Sequence, residues 1–217
     1  MTSLASRLQH VRERFEAACH RAGREPSEIQ LVVVTKSAPL SMFPELAALG
    51  IRDVGENRVL EALSRRTQTS APFVWHMVGH VQTNKARKLL EWTDVLHSVD
   101  RNELAAELEK HLARSNRRLP CYVQVNVSGE ATKGGYREQE VDAAVGGLLQ
   151  LAPHLELLGL MTMAPEGQDA RPHFRRLREL AVRCGLLGLS MGMSQDFEVA
   201  IEEGATCIRI GSALFGH

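Results

Sequence analysis

The feature that most constrains the fold of this chain is a regular alternation between short apolar runs and longer segments whose apolar residues recur every three or four positions. Short apolar runs are typical of strands buried on both faces, and the longer segments are typical of amphipathic helices. Each run except the last is followed by a plausible helix. The eight runs centre on residues 31–36, 51–54, 73–78, 95–99, 121–127, 157–161, 186–190 and 206–210. This pattern predicts an α/β protein with a (β/α)8 TIM barrel.

An open doubly wound sheet also alternates strands with helices, but it usually has a glycine-rich turn after its first strand. Here residues 36–39 read Lys-Ser-Ala-Pro, so the barrel is the favoured architecture. A barrel of this kind needs about 200 residues, and we therefore expect residues 1–217 to form a single domain. Residues 1–22 have the spacing of an amphipathic helix, which is expected as an extra element before the barrel.

Charge and cysteine content exclude several classes of partner. Lysine plus arginine and aspartate plus glutamate both total 26, so the formal net charge is zero. Counterion release is therefore expected to add no strong favourable free energy for binding nucleic acid. The densest basic segment, residues 171–178, has the spacing of a solvated helix face. The four cysteines lack the close spacing of a zinc site, which predicts no metal. Two of them lie in apolar, strand-like runs, and buried free thiols indicate a reducing, cytoplasmic setting. No run of about 18 apolar residues is present, so we expect no membrane contact. The chain is also expected to be a monomer.

Polar residues collect where the predicted strands end. In a barrel the carboxyl ends of the strands and the loops after them form the active face, so these residues are expected to lie together. They are Lys36, residues 55–58, His76 with Gly79, residues 97–100, Asn126 with Ser128, residues 161–162, residues 190–194 and residues 209–212. Because the net charge is zero, a small molecule is the expected ligand of this face.

Lys36 ends the first apolar run and is expected at the rim of the core. Burial disfavours the charged form of a lysine amine, which lowers its pKa and makes it nucleophilic towards an aldehyde. The position therefore indicates Schiff-base chemistry. The alternative is a surface lysine that merely follows a strand.

The loops after the last two strands have the composition of a phosphate site. Such loops commonly bind phosphate in TIM barrels, at the start of a short extra helix. Ser194 and Ser212 can each supply a hydroxyl, while Gly192 and Gly211 allow backbone amides to approach a ligand closely. Ser194 is alternatively an N-cap of the helix that follows it, and Gly211 is alternatively a simple chain reversal.

A Schiff-base lysine and a phosphate site at one barrel mouth together describe pyridoxal 5′-phosphate (PLP) as the cofactor. Arg209 would then face the pyridine nitrogen and keep it unprotonated, because arginine can only donate hydrogen bonds. The alternative for Arg209 is an ion pair with Glu56 or Asp100. A barrel enzyme that binds a phosphosugar on Lys36 is the alternative that needs no PLP.

Seven ordered blocks between residues 33 and 216 resemble the pyridoxal phosphate homeostasis proteins, and the resemblance covers nearly the whole chain. That family is similar to the barrel domain of alanine racemase. The blocks are residues 33–36, residues 55–58, residues 75–85, residues 124–126 with Glu130, Lys133 and Gly135, residues 159–161, residues 189–196, and residues 209–212 with Phe215 and Gly216.

The resemblance implies a fold-type III PLP-binding barrel in which Lys36 holds the cofactor as an internal aldimine. Ser194, Gly211 and Ser212 belong to the phosphate site by the same resemblance, and Arg209 faces the pyridine nitrogen. The residues implied to line the ring pocket are Asn57, His76 and Met161. The family is known for keeping the cellular PLP pool balanced, so no catalytic residue is implied, and apo forms of PLP-dependent enzymes are the expected recipients.

A PLP-dependent amino-acid racemase is the alternative function. Racemisation needs a base on each face of the substrate, and in alanine racemase the second base is a tyrosine positioned with the help of a further domain. Only Tyr122 and Tyr136 are present in this chain, one early in a predicted strand and one in a loop. A cofactor carrier is therefore favoured over an enzyme. Lys133, in a glycine-rich loop, is a candidate for transient transfer of PLP from Lys36.

Overall fold

A computed structural model describes residues 3–130 and 133–216 of the chain. Eight parallel strands form a closed barrel. They are β1 (Gln30–Val34), β2 (Asp53–Glu56), β3 (Val74–Met77), β4 (Val95–Val99), β5 (Leu119–Asn126), β7 (Leu155–Met161), β8 (Gly188–Ser190) and β9 (Cys207–Ile210). A two-residue strand, β6 (Tyr136–Arg137), pairs with β5 outside the ring. The order β4-β3-β2-β1-β9-β8-β7-β5 closes because β4 also pairs with β5.

Every predicted apolar run overlaps one barrel strand, so the predicted (β/α)8 barrel is confirmed. The second strand begins at Asp53, two residues later than its apolar run at 51–54. The pairing of β2 with β1 explains the shift, because Val32, Val33 and Val34 align with residues 53–55. Glu56, predicted to lie in the loop, is therefore the last residue of the strand.

Helices surround the barrel. They are α1 (Leu4–Ala22), α2 (Phe43–Ala48), α3 (Val59–Gln68), α4 (Ala86–Leu90), α5 (Asn102–Ser115), α6 (Val141–Leu151), α7 (Arg171–Arg183), α8 (Phe197–Glu202) and α9 (Ser212–Phe215). The main apolar core lies between these helices and the outer face of the strands. Among the helices of the described ranges, none is long and apolar enough to cross a membrane.

Helix α1 lies against α8 and α9 at the end of the repeat. Its apolar stripe, which includes Leu8 and Val11, is buried. Arg14 makes two hydrogen bonds of 2.8 Å to the carboxylate of Glu198, and its guanidinium lies 4.7 Å from the centre of the Phe197 ring. Because Phe197 and Glu198 begin α8, these contacts fix α8 from outside the barrel.

The basic segment at residues 171–178 forms most of α7 and is paired with acidic side chains. Arg171, Arg175 and Arg178 all make ion pairs with Glu203, whose side chain is only 5% exposed. A basic surface whose charges are neutralised by neighbouring carboxylates gives little attraction for phosphate backbones. The prediction of a structural helix face thus agrees with the contacts of this segment.

Candidate functional site

Lys36 lies in the turn directly after β1, at the carboxyl end of the barrel. Its side chain is exposed, so the expectation that it is buried at the rim of the core is wrong. The backbone on either side is nevertheless fixed, because Arg65 donates hydrogen bonds to the carbonyls of Thr35 (2.6 Å) and Lys36 (3.4 Å). The amine is therefore accessible to a ligand while its attachment point is held in place.

Glu56 explains why Arg65 is held beneath this turn. The Glu56 side chain is 1% exposed, accepts a hydrogen bond from the hydroxyl of Thr35 at 2.5 Å and pairs with Arg65 at 3.2 Å. Burial raises the pKa of Glu56, and the contacts with Thr35 and Arg65 oppose that shift. We therefore assign Glu56 a supporting role under the lysine turn.

The loops after β8 and β9 meet through the hydroxyl of Ser194. Its Oγ accepts hydrogen bonds from the backbone amides of Gly211 (3.3 Å) and Ala213 (3.1 Å), at the start of α9. The alternative that Ser194 caps α8 is wrong, because the position before α8 is occupied by Asp196. Ser194, Gly211 and Ser212 are all partly exposed. We call these three residues and Ala213 the amide corner.

Two glycines keep the amide corner close to the barrel. Gly192 has a φ of +92°, and a Cβ there would lie 2.5 Å from the Cβ of Ala200 in α8. A Cβ at Gly211 would lie 3.2 Å from the carbonyl oxygen of Val34 at the end of β1. Since β1 and β9 are neighbours in the sheet, the amide corner lies beside the turn that carries Lys36. Backbone amides and hydroxyls gathered at a helix start favour an anion.

Arg209 lies beneath this face, inside the barrel, and is 4% exposed. Its Nη1 donates to the hydroxyl of Ser190 at 2.6 Å, and its Nη2 donates to the carbonyl of Thr162 at 2.9 Å. The alternative of an ion pair with Glu56 or Asp100 is wrong. Glu56 pairs with Arg65, and Asp100 is engaged by Arg101 and His80 instead.

The three residues expected to line a ring pocket differ in depth. Asn57 is partly exposed next to the lysine turn. A Cβ on Gly79 would lie 2.4 Å from the carbonyl oxygen of Asn57, so only glycine at position 79 allows the Asn57 backbone to lie this close. Met161 is fully buried. His76 is also fully buried, and both its ring nitrogens have protein partners. His76 thus has no free nitrogen for a direct polar contact with a ligand.

The structure adds a group that the sequence analysis missed. Five side chains form a continuous hydrogen-bonded row through the inside of the barrel, and we call them the interior relay. They are Asp53, His76, His97, Ser190 and Arg209. The sequence predicts His97 among the polar residues where the fourth strand ends, whereas it lies in the middle of β4 with its side chain inside the barrel. The sequence signal for this position is the two-residue period of a strand, which places the side chain of His97 on the opposite face from the side chains of residues 96 and 98.

His97 is held neutral inside the barrel. It is fully buried, and its ring stacks on Tyr122 with the ring centres 4.7 Å apart. Burial lowers the pKa of His97 well below its ordinary value, and the nearby charges of His76 and Arg209 act in the same direction. The interior therefore contains a histidine that resists protonation.

We expect this histidine to make the free energy of unfolding fall below about pH 6.5. The unfolded chain binds a proton at His97 that the folded chain does not bind, so the stability present above the unfolded pKa is lost as the pH falls. One such group contributes up to about 1.4 kcal/mol per pH unit. Urea unfolding at several pH values should show a shallower fall for His97→Gln than for the parent, and identical slopes would contradict this assignment.

The loop after β5 is organised by Asn126. Its Nδ2 donates to the carbonyls of Glu130 (2.8 Å) and Lys133 (3.2 Å), and its Oδ1 accepts from the amides of Ser128 and Gly129. The Lys133 ammonium pairs with Glu130 at 3.1 Å. These contacts do not test whether Lys133 takes part in cofactor transfer, which stays a prediction.

The accessible lysine, the amide corner and the buried arginine lie on a barrel of the alanine racemase type. The family described as alanine racemase, N-terminal domain, matches residues 6–217. PipY of Synechococcus elongatus, in a structure with PLP bound, has a TM-score of 0.86 and 34% identity, covering 99% of this chain and 100% of PipY. An alanine racemase of Clostridium difficile shares the fold at a TM-score of 0.73 and 13% identity, covering 94% of this chain and 56% of the racemase.

Full-length similarity then gives the particular family. A relative in Aquifex aeolicus, named pyridoxal phosphate homeostasis protein, is 41% identical over 97% of this chain and 96% of the relative. This chain belongs to the pyridoxal phosphate homeostasis protein family. The resemblance seen in the seven sequence blocks is therefore confirmed.

Proposed function

We propose that this protein binds PLP covalently on Lys36 and takes part in keeping the PLP pool balanced, without catalytic turnover. The observation that carries the proposal is the placement of an exposed lysine amine beside the amide corner at one barrel mouth. PLP, when bound, supplies an aldehyde that condenses with a primary amine and a phosphate that binds backbone amides. The name of the Aquifex relative and the PLP in the PipY structure support the same cofactor.

The residues at the mouth fit the two ends of this cofactor. Lys36 offers the amine. The oxygen of Ser194 accepts from the amides of Gly211 and Ala213, which leaves its hydroxyl proton to donate to a phosphate. Arg209 offers a buried cation that only donates hydrogen bonds, so it is suited to face an unprotonated ring nitrogen. An arginine in that place weakens the electron-withdrawing power of the ring, which suits storage better than catalysis.

Replacing Ser194 with alanine should weaken PLP binding about tenfold, since hydrogen bonds to charged groups contribute about 1.5–3 kcal/mol. Binding of pyridoxal should stay within about twofold of the parent, because pyridoxal has no phosphate to contact the amide corner. Ser115→Ala, at the exposed end of α5, is the matched control. Titrations followed by visible absorption measure all three, and an equal loss for PLP and pyridoxal would argue against a phosphate contact.

The two tyrosines support a carrier over a racemase. Tyr122 is buried inside the barrel against His97, and burial raises its pKa. Tyr136 donates a hydrogen bond to Asn102 at 2.8 Å, and burial followed by the charge of Asp100 raises its pKa. A tyrosine with a raised pKa stays protonated at neutral pH and is a poor base. Neither tyrosine is therefore suited to remove a proton from a substrate.

One experiment tests the whole proposal. The purified chain is titrated with PLP, and visible absorption should rise to saturation at one cofactor per chain. The loaded protein is then incubated with single-enantiomer amino acids and the products are separated by chiral chromatography. We expect no saturable inversion. Fast inversion that is lost in Lys36→Ala would replace the carrier with a racemase, while absence of any visible absorption would remove PLP from the proposal.

The proposed setting is the cytoplasm, and the proposed recipients are apo forms of PLP-dependent enzymes. Cys19, Cys121 and Cys207 are buried free thiols, which are typical of a reducing compartment. Burial raises the pKa of the Cys207 thiol to about 12, so this thiol is protonated and unreactive. We also propose that the protein acts as a monomer, which size-exclusion chromatography with light scattering can measure.

A further inference from the structure

The interior relay links the two ends of the barrel. Asp53 begins β2 at the floor, which is the face opposite the lysine turn, and its side chain is 19% exposed. Its Oδ1 lies 3.0 Å from His76 Nε2, and His76 Nδ1 lies 2.8 Å from His97 Nε2. His97 Nδ1 lies 2.7 Å from the hydroxyl of Ser190, which accepts from Arg209 at 2.6 Å. An unbroken row thus joins the floor to the arginine beneath the mouth.

When both imidazoles are neutral, hydrogen-bonding chemistry sets the direction of every bond in this row. A guanidinium only donates and a carboxylate only accepts, while a neutral imidazole has one donor and one acceptor nitrogen. Arg209 donates to Ser190, so the Ser190 proton is available for Nδ1 of His97. The single proton of His97 is then on Nε2, where it bonds to Nδ1 of His76.

The last bond of the row runs in the same direction. The single proton of His76 is on Nε2 and is donated to the Asp53 carboxylate. The reverse assignment would leave Nε2 of His76 without a proton at 3.0 Å from that carboxylate, so that two acceptors would face each other. All four bonds therefore point from the arginine to the aspartate.

Other groups around the row are compatible with this direction. Tyr122 stacks on His97, and the thiol of Cys207 lies within hydrogen-bonding reach of Ser190. Neither is charged, because burial raises the pKa of both. Gln30 donates to the Asp53 carboxylate at 2.8 Å and so fixes its orientation. The row thus runs from the Arg209 guanidinium at its upper end to the Asp53 carboxylate at its lower end.

We propose that the interior relay holds the Arg209 guanidinium in one orientation and so couples the barrel floor to the ring nitrogen of the bound cofactor. Asp53, His76, His97 and Ser190 are positioning residues in this proposal, which rests on the proposed function for the cofactor itself. Without Ser190, Arg209 keeps only the carbonyl of Thr162 as its partner among the contacts described above. A guanidinium with one partner can rotate away from the ring, which changes both affinity and absorption.

The first arm of the test concerns the ligand-free protein. Nitrogen NMR of the full chain labelled with 15N-histidine should show the single proton of His97 on Nε2, and His97 should stay neutral at pH values where an ordinary histidine is protonated. A proton on Nδ1 of His97, or an ordinary titration of His97, would overturn the relay. This readout does not depend on PLP.

The second arm concerns the loaded protein. Ser190→Ala and Asp53→Asn should each weaken PLP binding about five- to tenfold and shift the visible absorption maximum. Thr93→Val is the matched control, because the Thr93 hydroxyl is buried and has no hydrogen-bond partner among the described residues. Parent-like affinity and absorption in both variants would overturn the coupling. Covalent PLP that survives Lys36→Ala would instead overturn the proposed function, whatever the NMR shows.

Discussion

Replacing Lys36 with alanine should abolish covalent attachment of PLP. After reduction with borohydride and digestion, the parent should give one labelled peptide, which contains Lys36, and the variant should give none. The physical reason is that attachment needs an accessible primary amine beside the amide corner, and Lys36 is the lysine that follows β1 next to it. Mass analysis of the peptides measures the outcome directly.

The other lysines make this test specific. The chain has five lysines, and Lys88, Lys110 and Lys133 are paired with glutamates. Lys110→Ala is the matched control and should leave the label unchanged. Lys36→Arg keeps the positive charge but should also lose the label, because a guanidinium stays protonated. A label recovered from any other lysine of the parent would move the attachment site and contradict the assignment.

Replacing Gly159 with alanine should destabilise the barrel by more than about 4 kcal/mol. Gly159 in β7 is aligned with Gly188 in β8, and a Cβ on Gly159 would lie 1.8 Å from the Gly188 carbonyl oxygen. The obstacle is backbone rather than a flexible side chain, so relief requires the two strands to separate. Thermal unfolding should show a midpoint lowered by roughly 10 °C or more, or no folded protein at all.

A glycine in open space provides the control for this prediction. Gly147 lies on the exposed side of α6, and a Cβ there would have no neighbour within 4 Å. Gly147→Ala should therefore stabilise the protein by about 0.5–1 kcal/mol, because alanine restricts the unfolded chain and favours a helix. A parent-like midpoint for Gly159→Ala would show that β7 and β8 can accommodate a methyl group between them.

The fold was predictable from the sequence because strand and helix periods are local signals. Alternating periods identified all eight barrel strands, and the strand ends predicted Lys36 and the amide corner at one face, where the structure brings them together. Pairings between distant elements carry no such local signal. Glu56 meets Arg65 only because α3 brings the arginine back over the strand end, and the rotation of that helix is fixed by packing. The exposure of Lys36 has the same cause, since it depends on where the turn leaves the barrel.

The inside of the barrel was the least predictable region. Whether His97 faces inwards depends on strand register, and one residue of shift would turn it to the outer core. Ser190 and Arg209 are close only because β8 and β9 are neighbours in the closed ring. Chemistry alone predicted a role for Arg209, and its partners in the structure are a hydroxyl and a carbonyl rather than a carboxylate.

Helix α1 is connected to the proposed phosphate site by contacts that pass through α8. Arg14 anchors the start of α8, and α8 supplies the Ala200 methyl against which Gly192 is packed, directly before the amide corner. Helix α1, which lies outside the strand-helix repeat, thus supports the proposed phosphate site through α8. We therefore expect that trimming or fusing the amino-terminal segment alters the retention of a ligand bound at the amide corner, near the opposite end of the sequence.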